Sequence, residues 1–219
     1  MKNVIERIDS EIEGRSLLKH PFYQMWSEGK LTLDHLRGYS KEYFHLVKAV
    51  PEFVENISAL TADPSIKESV EQNMKEESEH IEQWIRFAGA IGIPRKELVN
   101  YIATDKTNDA ISDLTHITSL SLEQAVAAMY AYEKELPKIS RSKIDGLKKF
   151  YGMSDGTDAT NYFEIHEEAD VRHAAVWRNI IQKIPVAKEQ LAFDAAVLSL
   201  EIQNKLLDSV QEKNLGSSC

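Results

Sequence analysis

Cysteine is almost absent: the single one, Cys219, is the last of 219 residues. One terminal thiol excludes a disulfide framework, a thiolate metal site and a cysteine nucleophile within a folded core. Basic surface is scarce too. Lys and Arg total 26 against 35 Asp and Glu, a net charge of −9, and the two signs are mixed along the chain. No basic patch with interleaved aromatics appears, so nucleic acid is not an expected partner. Apolar runs fall far short of a membrane span, and Met1-Lys-Asn-Val-Ile-Glu-Arg-Ile-Asp9 lacks the apolar core of a signal peptide. A cytoplasmic protein without membrane contact is the expectation. Nothing reads as a linker, so residues 1–212 are expected to form a single helical domain, with 213–219 a disordered tail.

Glycine and proline, nine and six in number, are clustered, and the segments between them carry helical rather than two-residue periodicity. The fold class is all-α. Helices are expected over about 3–13, in a short segment after His20-Pro21-Phe22-Tyr23, and from a Thr32 cap until Pro51 interrupts. Asp63-Pro64 starts another, which Gly92 and Pro94 stop near Ile91. Shorter helices fill 95–118, and Ser121 with Gln124 forms a capping box for a helix to Leu136. The remaining helices end at Gly152, span about 158–182 and span about 186–212.

What the chain does have is histidine beside carboxylate. In His166-Glu-Glu-Ala-Asp-Val-Arg-His173, positions 166, 170 and 173 fall within roughly 60° of one helical face. Two imidazoles and a carboxylate at i, i+4 and i+7 make half a metal site, and such mixed ligands suit iron, manganese or zinc. A solvated charged helix is the alternative, since Glu167, Glu168 and Arg172 lie in the same run. Glu76-Glu77-Ser78-Glu79-His80 offers a chelating pair either as Glu77 with His80 or as Glu76 with His80. Glu133 stands in an apolar stripe with Val126, Met129 and Tyr130. A buried carboxylate needs a cation, a metal or a raised pKa. Pro137, four residues on, removes the donor to the Glu133 carbonyl, so a kink or a helix end is expected there. Together His80, His166, His173, Glu77 (or Glu76), Glu133 and Asp170 make a two-metal set. Three carboxylates against two divalent ions leave roughly one positive charge, which a bridging oxide or hydroxide would neutralise. Ferritin-like di-iron proteins use paired Glu-x-x-His motifs, and only one is present here.

The His166 motif preceded by Tyr162-Phe163 closely resembles the family of the chlamydial protein associated with death domains. These are heme-oxygenase-like di-metal oxidases within the wider thiaminase and pyrroloquinoline-quinone-synthase fold group. The resemblance extends over His20-Pro-Phe-Tyr23, Trp26-Ser-Glu-Gly29, Gly38-Tyr39-Ser-Lys-Glu-Tyr43, Trp84, Tyr130-Ala-Tyr132-Glu133, Pro137, Arg141-Ser-Lys143 and Gly146-Leu147. It implies a heme-oxygenase-like seven-helix bundle and an oxygen-dependent synthase making p-aminobenzoate for folate synthesis. It implies two first-row metal ions, Fe/Fe or Mn/Fe, with dioxygen and a reductant as co-substrates. By the same resemblance Tyr23 supplies the aromatic ring in a single turnover, Lys143 supplies nitrogen, and Tyr39, Tyr132 and Tyr162 surround the centre. The phenol attacked would have to lie close to the oxidant.

Two departures bear on this. The spacer between the glutamate pair and His80 is three residues shorter than in the chlamydial protein, and Glu77-x2-His80 is similar instead to the related alkene-forming fatty-acid decarboxylases. The cysteine-rich tail of the chlamydial protein is missing. A thiaminase-like hydrolase would need a core cysteine nucleophile, and the cofactor-free ring oxidases of the fold group would not need the six metal-type residues. The remaining alternatives are a di-metal oxygenase acting on a diffusible substrate and a non-catalytic module binding death domains or other partners. A homodimer and a partner protein are compatible with the sequence, which shows neither.

Overall fold

The computed structural model describes residues 3–215, so 216–219, with most of the expected tail and Cys219, lie outside the described residues. Among the described residues there is no strand. The α-helices are α1 (Val4–Gly14), α2 (Pro21–Ser27), α3 (Leu33–Leu60), α4 (Pro64–Ala90), α5 (Arg95–Val99), α6 (Asp105–Leu120), α7 (Leu122–Glu133), α8 (Leu136–Tyr151), α9 (Asn161–Ile181) and α10 (Glu189–Leu215). With the short α2 and α5 set aside, and α7 and α8 taken as one helix broken at Lys134 and Glu135, the expected seven long helices remain.

Local chemistry accounts for most boundaries. The side chains of Asn3, His20, Thr32 and Asp63 each accept a backbone N–H from the first turn they cap, satisfying donors that a helix start leaves free. Gly152 ends α8 at φ +68°, a left-handed conformation that glycine adopts without Cβ strain. Ser121 completes half of its expected box: it accepts from the Gln124 N–H, but its hydroxyl donates to Gln124 Oε1 at 2.9 Å.

Pro51 corrects the sequence reading, because α3 runs straight through it. A proline inside a helix costs about 3 kcal/mol. Val47, Val50, Phe53 and Val54 around it are all buried, and each such side chain contributes roughly 1.5–3 kcal/mol, so packing outweighs the break. Pro137 does end a helix: α7 stops at Glu133, and Pro137 falls in the first turn of α8, where its missing N–H is tolerated.

Helix α7 is the axis of the bundle. Every residue from Ala125 to Glu133 is buried, as expected of a helix enclosed on all sides, and α6, α9 and α10 pack around it. Helices α4 and α9 run antiparallel: Gln83 accepts from Asn161 at one end, and Glu76 accepts from Arg172 at the other. Among the described residues no helix is long and apolar enough to cross a membrane.

Candidate metal centre and the aromatic box beside it

The antiparallel pairing brings two matching stripes together. On α4, Glu77, His80 and Trp84 are buried on one face; on α9, so are His166, Asp170, His173 and Trp177. One ligand atom each from Glu77, His80 and His166 lie within 4.8 Å of one another, and the same holds for Glu77, Asp170 and His173. Glu77 is common to both groups. Glu133 enters from α7, where its Oε2 accepts from Trp177 Nε1 at 2.5 Å. The six residues expected to form the centre therefore meet around one buried volume.

Donor atoms are left over there. Glu133 Oε1 and both oxygens of Asp170 are buried without a hydrogen-bond partner, and the Nδ1 atoms of His80 and His173 face Glu77 at 3.3 and 3.1 Å. Each such unpartnered atom costs roughly 1–3 kcal/mol, and three of them together are a large fraction of the roughly 5–15 kcal/mol net stability of an ordinary domain. The cluster is all nitrogen and carboxylate oxygen, a set that fits divalent first-row ions.

Electrostatics point the same way. Burial, then neighbouring Glu133 and Glu77, hold the Asp170 carboxyl well above its usual range. Burial raises Glu133 to about 8. Burial alone would also raise Glu77, but His173 and His80 outweigh it and hold that carboxyl well below its usual range. Burial would lower His173, yet Glu77, Glu133 and Asp170 push it up to about 10. Its extra proton sits where a cation would otherwise neutralise the carboxylates. His166 is lowered to about 3 by burial and by His80. Its Nδ1 lies 2.6 Å from the Tyr162 carbonyl, to which it donates as a neutral ring, leaving Nε2 for a ligand bond.

The two candidate glutamates separate cleanly. Glu77 reaches inward, 3.3 Å from His80 Nδ1 and 3.1 Å from His173 Nδ1. Glu76 lies on the other side of His173, with Oε2 3.0 Å from Nε2, and also accepts from Arg172 and Gln72.

A second buried feature adjoins this cluster. Lys143, only 4% exposed, donates from Nζ to the Tyr39 hydroxyl at 2.7 Å. Its Nζ stands 5.0 to 5.2 Å from the ring centres of Tyr23, Tyr39, Tyr43 and Phe163. Burial lowers this amine to about 7. The box is held by Trp26, whose Nε1 donates to the Lys143 carbonyl at 3.2 Å and so ties α2 to α8. Gly146 makes room for it, since a Cβ there would lie 2.6 Å from the Trp26 ring.

Tyr23 makes ring contacts with Phe22 and Tyr39. A chain of ring contacts leads from Tyr23 through Tyr39, Trp84 and Tyr162 to His166, with ring-centre steps of 6.5, 5.7, 4.7 and 4.1 Å. Tyr132 lies buried within electrostatic reach of Tyr43, Tyr162 and Glu77. The sequence reading did not single out Trp177, and it named Tyr43 and Trp84 only among the residues that carry the resemblance, with no role at the site. The signal for Trp177 was present, because it continues the 166, 170, 173 stripe by one turn. A cleft of about 240 Å³ between the α7–α8 break and α9, lined by Lys134, Pro137, Ala174 and Arg178, extends to Asp170. A wider one of about 370 Å³, lined by Ser27, Arg141 and Lys149, lies along α8 away from the cluster.

Comparison with known proteins agrees with this architecture. The chain is 33% identical over 189 residues to a 4-aminobenzoate synthase of Chlamydia pneumoniae, the match covering 84% of each chain. It is 34% identical over 224 residues to a 4-aminobenzoate synthase of Nitrosomonas europaea, covering 94% of this chain and 90% of that one. Among solved structures, a domain of unknown function with a heme oxygenase-like fold from Shewanella denitrificans superposes with a TM-score of 0.78 at 17% identity, covering 98% and 93% of the two chains. Residues 10–196 match the model of the TENA/THI-4/PQQC family, and the chain belongs to that family.

Proposed function

We propose that this protein is a 4-aminobenzoate synthase that consumes its own side chains: Tyr23 supplies the ring and Lys143 the nitrogen. Relatives bearing that activity in their names match it over most of its length at 33–34% identity, which supports an enzyme of this kind. The observation that carries the finer reading is the box in which the Lys143 amine, buried and lowered to about 7, faces the Tyr23 ring at 5.0 Å. At mildly alkaline pH such an amine is uncharged and nucleophilic.

The carbon skeleton of 4-aminobenzoate, a benzene ring with a para carbon substituent, is that of a tyrosine side chain. Converting the tyrosine methylene to a carboxylate is an oxidation that breaks the Cα–Cβ bond, with dioxygen as oxidant and a reductant to complete its reduction to water. Transfer of the Lys143 nitrogen breaks its Cε–Nζ bond and expels the phenol oxygen as water. In this reading Glu77, His80, Glu133, His166, Asp170 and His173 hold two first-row ions, Fe/Fe or Mn/Fe. Ions bound there supply the redox chemistry with dioxygen. The protein's own groups do the rest. Trp177 holds Glu133 in place, Tyr162 packs on His166, and the rings of Tyr39, Trp84 and Tyr162 give a path for an electron from Tyr23 to the centre. Tyr132 lines the same space, while Tyr39 orients the Lys143 amine through its hydroxyl. The closed apolar box excludes water that would otherwise compete with the amine. Metal-loaded protein given reductant and oxygen should release 4-aminobenzoate, and Lys143→Met should release none while keeping its metal. Product formation by Lys143→Met at the wild-type level would refute the assignment of the amine.

A further inference from the structure

Glu76 and Glu77 are neighbours about 100° apart around α4, and they meet His173 at its two different ring nitrogens. Glu77 Oε1 lies 3.1 Å from Nδ1, with Asp170 Oδ1 3.8 Å from the same atom. Glu76 Oε2 lies 3.0 Å from Nε2. Glu76 is itself held by Arg172, whose Nη1 donates to both carboxylate oxygens at 3.1 and 2.9 Å, and by Gln72, which donates to Oε1 at 2.8 Å. The imidazole between them is fully buried. Resting on the reading of this cluster as a two-ion centre, we propose that Glu76 is a positioning residue. It takes the Nε2–H of His173 and so fixes Nδ1 as the nitrogen that faces an ion, and Arg172 fixes Glu76.

An imidazole presents either nitrogen by turning over, and the partner of the other nitrogen decides which. A carboxylate partner also makes the ring a stronger donor, and removing such a group typically weakens metal affinity 10–100-fold. Here the support is one-sided. His166 has the neutral Tyr162 carbonyl behind it at 2.6 Å, whereas His173 has a carboxylate. The ion on the Glu77, Asp170 and His173 side therefore depends on Glu76, and the ion on the Glu77, His80 and His166 side does not. The bond also joins α4 to α9, the two helices that supply five of the six donors.

The test is an anaerobic competition titration of the full chain with Mn²⁺ and a fluorescent chelator. Wild type is compared with Glu76→Gln, Glu76→Ala and Arg172→Ala, each with the thermal midpoint of its metal-free form. Wild type should take up two ions. Glu76→Ala should weaken one by roughly 10–100-fold and leave the other within a few-fold. Glu76→Gln, which keeps an acceptor for the Nε2–H, should lose less, and Arg172→Ala no more than Glu76→Gln. A merely structural role would lower the midpoint and move both affinities together, and that result overturns the proposal. So does unchanged affinity in both Glu76 variants. Complete loss of one ion in Glu76→Gln would make Glu76 a ligand and overturn it as well. A wild-type chain that takes up no Mn²⁺ would instead strike the two-ion reading itself, before any variant is compared.

Discussion

Replacing Glu133 by glutamine in the metal-free protein isolates the electrostatic strain of the centre. Glutamine is close to isosteric and still offers an oxygen to the Trp177 N–H, so the packing and the 2.5 Å contact to α9 have a substitute partner. What disappears is the titration. Glu133 is raised by burial from 4.5 to about 8, so between those values the folded chain keeps a proton that the unfolded chain has released. Stability therefore falls as pH rises through that window. The full effect of Glu133 is absent below the unfolded pKa and fully developed above the folded one. At about 1.4 kcal/mol per pKa unit, the wild type should lose on the order of 3 kcal/mol relative to Glu133→Gln between pH 5 and pH 8. For a chain of this size that is roughly 6–12 °C in melting temperature. The assay is urea denaturation of both metal-free proteins at the two pH values, with the difference of differences as the readout, so that His166 and Lys143, which Glu133 does not perturb, cancel to first order. Equal wild-type-minus-variant differences at pH 5 and pH 8 would refute the raised carboxyl, and with it the argument that this site is strained without a cation.

Other consequences are simpler to measure. His173→Ala should lose bound metal while its circular dichroism stays helical, and unchanged metal content by elemental analysis would contradict the placement of His173 in the centre. The single-turnover yield of 4-aminobenzoate should rise with pH through about 7, where burial has lowered Lys143 and its neutral form takes over; a yield flat between pH 6 and pH 8.5 would argue against that amine. Gly146→Ala should push against Trp26, cost roughly 1–3 kcal/mol in denaturation experiments and reduce product, whereas an unperturbed variant would show that the α2–α8 contact does not set the box.

The parts of this site that were legible in the sequence are those governed by one helix at a time. His166, Asp170 and His173 recur at helical spacing, and Glu133 interrupts an apolar stripe, so both could be read from periodicity and the cost of a buried charge. The choice between Glu76 and Glu77 could not, because both are acidic neighbours compatible with His80, and the α4–α9 packing decides which faces inward. Pro51 was misread for a related reason: the local rule is real, but buried Val50 and Phe53 outweigh it. Lys143 looked like any other base among Lys138, Arg141 and Lys148. Its chemistry comes entirely from rings on α2, α3 and α9, and only the family resemblance pointed to it. The same tertiary origin explains the run of ring contacts from Tyr23 to His166, which has no signature along the chain.

The most direct test follows the ring of Tyr23. Protein prepared with ring-labelled tyrosine, loaded with metal and given reductant and oxygen, should pass the label to 4-aminobenzoate, release no more than about one product per chain, and lose mass in the peptide containing Tyr23. Unlabelled product, many products per chain, or an undiminished yield from Tyr23→Phe would contradict a self-consuming synthase and point to an oxygenase acting on a diffusible substrate.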